Sequence, residues 1–359
     1  MILKLAYRNL IGAGTRTVLN AIVLSMAFVA IILIQGLLEG MNRQIADAVV
    51  RAEYAGGQFW HEKYDPYDLF SLEDAHGVIP ERLVKLRQQN LVTPILIIQS
   101  SIYPKGRIRP ALIKGIDPAQ KIISIPSHFL AESNAELPIL IGNRMAKNTG
   151  LDIGDILIIQ WRDVHGTIDA RDATVTQIMN TTVPTIDNGQ IWMALDQLQR
   201  LTDMPNQATL IIKDKEYQQD ENIPGWIFRD RAFLLKDLNE MIKAKSVGSG
   251  LFYMILLFLA MLAIFDTQVL SIFHRRREMG TLMAMGLTRL KLIQLFTLEG
   301  ALNGVMAGIL ALAHGFPLFR LLSQKGINLP ENTDNYGFAI GEKLFPAYTV
   351  GLVFGTTLL

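Results

Sequence analysis

Apolar residues gather in four long blocks separated by mixed sequence. Val18 to Leu38 is 21 residues without a charge, about 31 Å of helix against a hydrocarbon core of roughly 30 Å. Leu251 to Phe273 is a second block, interrupted by Asp266 and Gln268. Leu292 to Ala313 is a third and holds Glu299, and Leu344 to Leu359 is a fourth, 16 residues long. The pattern predicts a membrane protein with four transmembrane α-helices: 18–38, 251–273, 292–322 including an outer extension that Gly315 and Pro317 kink or end, and 344–359 as a truncated fourth. The fourth block has no polar flank, so the chain is expected to be a fragment. The first block is too long for the apolar region of a signal peptide, which is about 7–15 residues.

Residues 39–250 have a different texture. Strand signals, rich in Ile, Val and Thr and bounded by Gly, Pro or Asp, fall at Thr93–Ile102, Ile108–Gly115, Asp155–Trp161, Ala173–Met179, Gln190–Ala194 and Ala208–Lys213. Helical signals fall at Glu81–Gln89, Arg144–Thr149 and Asp196–Thr202. A longer one over Ala232–Lys245 repeats Leu234, Leu235, Leu238, Met241 and Ile242 at helical spacing. Gly150 is placed to close a helix in the left-handed conformation, and Gly154 to turn into the next strand. Ser246–Gly250 reads as a flexible joint. The expectation is a large α+β extracytoplasmic domain inserted between transmembrane helices 1 and 2, carried on helical stalks.

Charge sets the orientation. Residues 1–17 carry Lys4, Arg8 and Arg16 and no acid, and 274–291 carries Arg275, Arg276, Arg277, Arg289 and Lys291 against Glu278 alone. Basic short loops face the cytoplasm, so the N-terminus and 274–291 are expected inside. Residues 39–250 and the short loop 323–343 are expected outside. Lys and Arg total 34 against 33 Asp and Glu, which argues against nucleic acid as the main partner. Cysteine is absent, excluding disulfides, thiol catalysis and Cys-ligated metals. No phosphate-binding loop, no H-E-x-x-H and no G-x-S-x-G occurs, and the six histidines are scattered. Neither an enzyme nor a cofactor or metal site has positive support.

The informative chemistry lies in the loop 274–291. After the arginines comes a short helical stretch with Met279, Leu282, Met283 and Met285 between Gly280 and Gly286. Methionines pack adaptably, so the stretch suits docking in a groove of a soluble protein; a topology-setting loop lying against lipid is the equal alternative. Residues 1–9 suit an interfacial helix or a plain basic lead-in to the first span. Gly300, Gly304 and Gly308 recur every four residues and are read as a helix-packing stripe. Asp266 and Glu299 are intramembrane acids near the cytoplasmic side, read as snorkelling or pairing with the arginines rather than relaying protons.

One span, a large outer segment, then three spans, with Arg276-Arg277-Glu278-Met279-Gly280-Thr281-Leu282-Met283-Ala284-Met285-Gly286 after the second, resembles the FtsX-like/MacB-like ABC transporter permeases. The opening Leu5-Ala6-Tyr7-Arg8-Asn9-Leu10 is similar to the family's amphipathic start. Ile139–Ala146, Gly150–Asp155, Lys114–Pro118 and Gln190–Gln199 are similar to the lipoprotein-releasing (LolC/LolE type) branch. The resemblance implies a multi-pass subunit of the inner (plasma) membrane, without enzymatic activity, working with cytoplasmic ABC ATPase subunits and a second permease subunit. It implies that Arg276, Arg277, Glu278, Met279, Gly280, Leu282, Met285 and Gly286 form the ATPase-coupling loop. Lipoprotein or similar amphipathic cargo, an extracytoplasmic carrier and membrane lipids follow as partners. The alternatives on the same scaffold are a signalling subunit that activates an outer cell-wall hydrolase and an exporter of small molecules or peptides.

Overall fold

The computed structural model describes residues 2–12, 14–181, 183–217, 223–328, 343–349 and 351–352. They divide into two compact units, one formed by 1–44, 240–330 and 342–359, the other by 45–239 with 331–341.

The first unit is helical. Helix α1 (Ile2–Gly12) is followed at once by α2 (Thr15–Val49), which ends in a π turn, Val50–Tyr54. Helix α9 (Lys236–His274) is followed by the short α10 (Arg276–Ala284) and then by α11 (Arg289–Lys325). Among the described residues, two helical stretches are long and apolar enough to cross a membrane, Thr17–Tyr54 and Arg289–Lys325. Leu24, Phe28, Val29 and Ile32 of α2 pack with Ala307, Ala311 and Phe319 of α11. Small side chains at 307, 311 and 315 let the backbones approach, and a Cβ on Gly315 would press on Val29 and Phe319 at 3.0–3.1 Å.

Three expectations change here. The stripe that packs among the described residues runs through Ala307, Ala311 and Gly315, while a Cβ built on Gly304 or Gly308 would meet nothing within 4 Å there. α11 passes through Gly315 and Pro317 to Lys325 instead of ending there. The stretch 246–250 is helical within α9 and not a loose joint. The block that begins at Leu344 opens as a strand, β13 (Lys343–Leu344), paired with β12 (Ile327–Asn328), and then runs without regular structure to Thr349. Pro346 lies in that stretch, where it lacks the N–H a helix needs. Half of the predicted fourth span, 350 and 353–359, lies outside the described residues, as does 329–342 of the short loop.

The second unit is built on a sheet. Its strands are β1 (Gln58–His61), β2 (Gly77–Val78), β3 (Val92–Tyr103), β4 (Arg109–Ile116), β5 (Pro138–Gly142), β6 (Ile156–Arg162), β7 (Ile168–Met179), β8 (Gln190–Ala194), β9 (Gln207–Ala208), β10 (Leu210–Lys213) and β11 (Trp226–Arg229). Its short helices are α3 (Glu81–Gln88), α4 (Phe129–Glu132), α5 (Asn143–Thr149), α6 (Pro184–Gly189), α7 (Leu195–Leu201) and α8 (Arg231–Leu234). The order β11-β1-β10-β3-β4-β8-β5-β7-β6 closes on itself because β6 also pairs with β3. Strands β3, β4, β8, β5, β7 and β6 therefore form a barrel, which removes their open edges. Leu96, Ile98, Ile113, Ile139, Ile159, Trp161, Val175 and Ile191 belong to one apolar core. All five residues of β5 and of β8 are buried, as expected of strands covered on both faces. β6 alternates exposed and buried positions.

Candidate functional site

The coupling-loop residues sit on one short helix and its two ends. α9 stops at His274, and Arg275, at φ −101° and ψ 18°, breaks the helical path before α10 starts. Its N–H is shared between the carbonyls of Ser271 and Ile272, at 3.1 and 3.2 Å, a three-centre bond common at helix ends. At the other end Gly286 stands at φ +94°, a conformation that L side chains rarely adopt. Thr288 then caps α11, its hydroxyl accepting from the Lys291 N–H at 3.4 Å. The sequence writes this helix locally: a glycine at the turn that follows it and a threonine to cap its successor.

No residue of α10 is buried. Arg276, Arg277, Glu278 and Gly280 are exposed, Met279 and Leu282 are half-buried, and Met285 is 76% exposed. The arrangement offers methionine and leucine side chains beside two guanidinium groups. Arg276 lies over the Phe273 ring, 5.7 Å from its centroid, a cation–π contact that steadies the turn.

The base of α10 is anchored, and Glu299 of α11 is the anchor. Arg275 Nη1 donates to Glu299 Oε2 at 3.0 Å and Oε1 at 3.2 Å, while Arg275 Nε donates to Glu278 Oε2 at 2.7 Å. Asn9 Nδ2 of α1 donates to Glu299 Oε1 at 2.7 Å. Burial works against the Arg275 charge, but its hydrogen bond to Glu278 and the charge of Glu299 outweigh it and hold the guanidinium above its ordinary pKa. The expected pairing of Glu299 with an arginine is present; Asp266 is exposed. In the sequence Asn9 reads only as part of the amphipathic start 5–10, because a neutral amide breaks no charge pattern. Gly36 and Gly40 of α2 were also missed. Gly36 lies against the Tyr348 ring and Gly40 against the Phe345 carbonyl, and the Ala347 N–H donates to Gly36 O at 2.8 Å.

In the barrel unit, the stretches that carried the branch resemblance hold the scaffold. Lys114 Nζ meets Glu53 Oε1 of the π turn at 2.9 Å and lies over the Trp192 ring. Gly115 admits the backbone of Leu195, and Asp117 pairs with Arg87 at 2.6 Å. A Cβ on Gly142 would strike Asp187, whose carboxylate sits 3.3 Å from Arg144 Nε. Gly150 closes α5 at φ +66°, as its position predicts. The unit also has an open groove of about 510 Å³ that includes Leu72, Ser100, Gln160, Arg162 and Met204. Among the described residues no three His, Asp or Glu side chains gather in a way that could hold a metal ion.

Residues 250–359 match the family described as FtsX-like permease C-terminal. That stretch takes in most of α9, all of α10 and α11, and the whole anchor except Asn9. The match supports the FtsX/MacB/LolC permease family over that stretch and points to the permease subunit of an ABC transporter. Such permeases generally work with ABC ATPase partners. No curated protein matches the chain.

Proposed function

We propose that this chain is the permease subunit of an ABC transporter in which α10 receives the motion of a cytoplasmic ATPase. The observation that carries the reading is the contrast within α10. No side chain along it is buried, yet its first turn is fastened through Arg275 to a buried carboxylate. A helix kept only for chain topology has no need of that anchor; a helix that must be pushed does. In this reading residues 1–17 and 274–291 lie in the cytoplasm, the spans are those of the sequence, and 39–250 lies outside. ATP-driven closure of paired ATPase subunits displaces α10, and α2 and α9 carry the displacement along the chain into the outer segment. Cargo is handled at the outer face without crossing the membrane as through a channel. A second permease subunit completes the assembly.

The cargo belongs to the same proposal. Likeness of the outer segment to the lipoprotein-releasing branch supports lipoproteins or similarly amphipathic molecules drawn from the outer leaflet and handed to an extracytoplasmic carrier. The coupling assignment is tested by purifying the full chain in mild detergent and identifying P-loop subunits that elute with it. Met285→Glu places a charge on the most exposed methionine of the loop, and the proposal expects it to reduce the associated ATPase at least tenfold. Unchanged association would overturn the assignment.

A further inference from the structure

Glu299 is the one charged side chain buried among the described residues of the helical unit. Both of its oxygens accept hydrogen bonds. Oε1 accepts from Asn9 and Arg275, and Oε2 accepts from Arg275. The donors come from different elements: Asn9 from α1, and Arg275 from the single non-helical residue between α9 and α10. The same guanidinium reaches forward with Nε to Glu278, in the first turn of α10. A one-residue break between two helices bends freely unless a side chain spans it, and here Arg275 spans it, with Glu299 as the fixed end.

We propose that Glu299 is a positioning residue that locks the first turn of α10 to α1 and α11 as one body, so that a push on α10 moves α1 and α11 instead of being absorbed at Arg275. The proposal rests on the reading of α10 as the ATPase contact and adds the route by which force leaves it. It requires a carboxylate. A glutamine of the same shape would turn an NH₂ donor toward either Asn9 or Arg275, both of which are donors there. It also gives Asn9 a purpose: a neutral donor completes the carboxylate's hydrogen bonding without a second charge.

The chain has no cysteine, so pairs of introduced cysteines report unambiguously. Spin labels at Thr281 and Gln294 read α10 against α11, labels at Tyr7 and Thr281 read α1 against α10, and labels at Val23 and Val305 read α2 against α11 away from the anchor. In the full chain in nanodiscs, Glu299→Gln is expected to broaden the first two distance distributions about twofold and to leave the third unchanged. Arg275→Lys keeps the charge but cannot span Glu278 and Glu299 together, and is expected to fall between. With the ATPase that elutes with the wild-type chain, Glu299→Gln is expected to keep association while losing about tenfold of the chain's stimulation of hydrolysis. Unchanged distributions at the first two pairs, or equal broadening at all three, would overturn the proposal. If the wild-type chain binds no ATPase, the functional reading fails while the distance distributions still decide whether the lock exists.

Discussion

Glu53 and Glu299 are both largely buried carboxylates, and they differ in what carries their partners. Glu53, in the π turn that ends α2, meets Lys114 in β4, a strand paired with β3 on one side and β8 on the other. Gln190 of β8 approaches the same oxygen at 3.4 Å. Sheet register fixes both partners, so the end of α2 is welded to the barrel, and Ala48, Ala52 and Ala55 pack in a second apolar cluster with Ile95, Ile97, Ile116 and Leu140. Glu299 meets Arg275 and Asn9, which sit at a helix break and near the end of a short helix. The same charge chemistry makes a weld where a sheet holds the partner and a joint where helix ends do.

Lys114→Met should have the largest effect. The Glu53–Lys114 pair has side chains 16% and 11% exposed, and removing one member of a buried pair costs about 3–5 kcal/mol. Thermal unfolding of the full chain, followed by tryptophan fluorescence, should show a midpoint lowered accordingly. Adding Glu53→Leu should recover much of the loss; a loss under about 1 kcal/mol would mean that the weld is ornamental. A smaller effect is expected at Tyr54. Burial, then the charges of Glu53 and Asp237, push its phenol up to about 12. The unfolded chain releases that proton near pH 10, so stability is lost as pH rises from there toward about 12, and Tyr54→Phe should weaken this dependence. Burial likewise pushes the neighbouring Tyr64 phenol up. Arg200→Ala marks the lower end. Its pair with Asp196 is exposed, at 68% and 62%, and such pairs contribute at most about 0.5 kcal/mol, so a midpoint shift within error is expected.

What the sequence disclosed depended on local signals. β8 was legible to the residue because Gln190–Ala194 is apolar and bounded by glycine and a helix. α10 was legible through its glycines and methionines. β1, β5 and β11 were not read as strands. β5 is five residues long, opens with proline and shows no alternation because both its faces are covered; β1 and β11 have four residues each. The first half of β7, Ile168–Asp172, is exposed and is a strand only because β6 pairs with it. The glycine spacings show the limit most clearly. Gly36/Gly40 and Gly304/Gly308 have the same four-residue period, yet only the first pair meets a close neighbour in the described chain. A period tells that an approach is permitted, and only the fold tells what approaches. Asn9 likewise became meaningful only once Glu299 was beside it.

The proposed function requires residues 274–291 inside and residues 39–250 outside, and a cysteine-free chain allows a direct test. Single cysteines at Thr281 and at Asp169, both exposed, are to be challenged with a membrane-impermeant maleimide in intact spheroplasts and again after lysis. The account predicts labelling of Asp169→Cys in intact cells and of Thr281→Cys only after lysis. Labelling of Thr281→Cys from outside, or protection of Asp169→Cys until lysis, would contradict it.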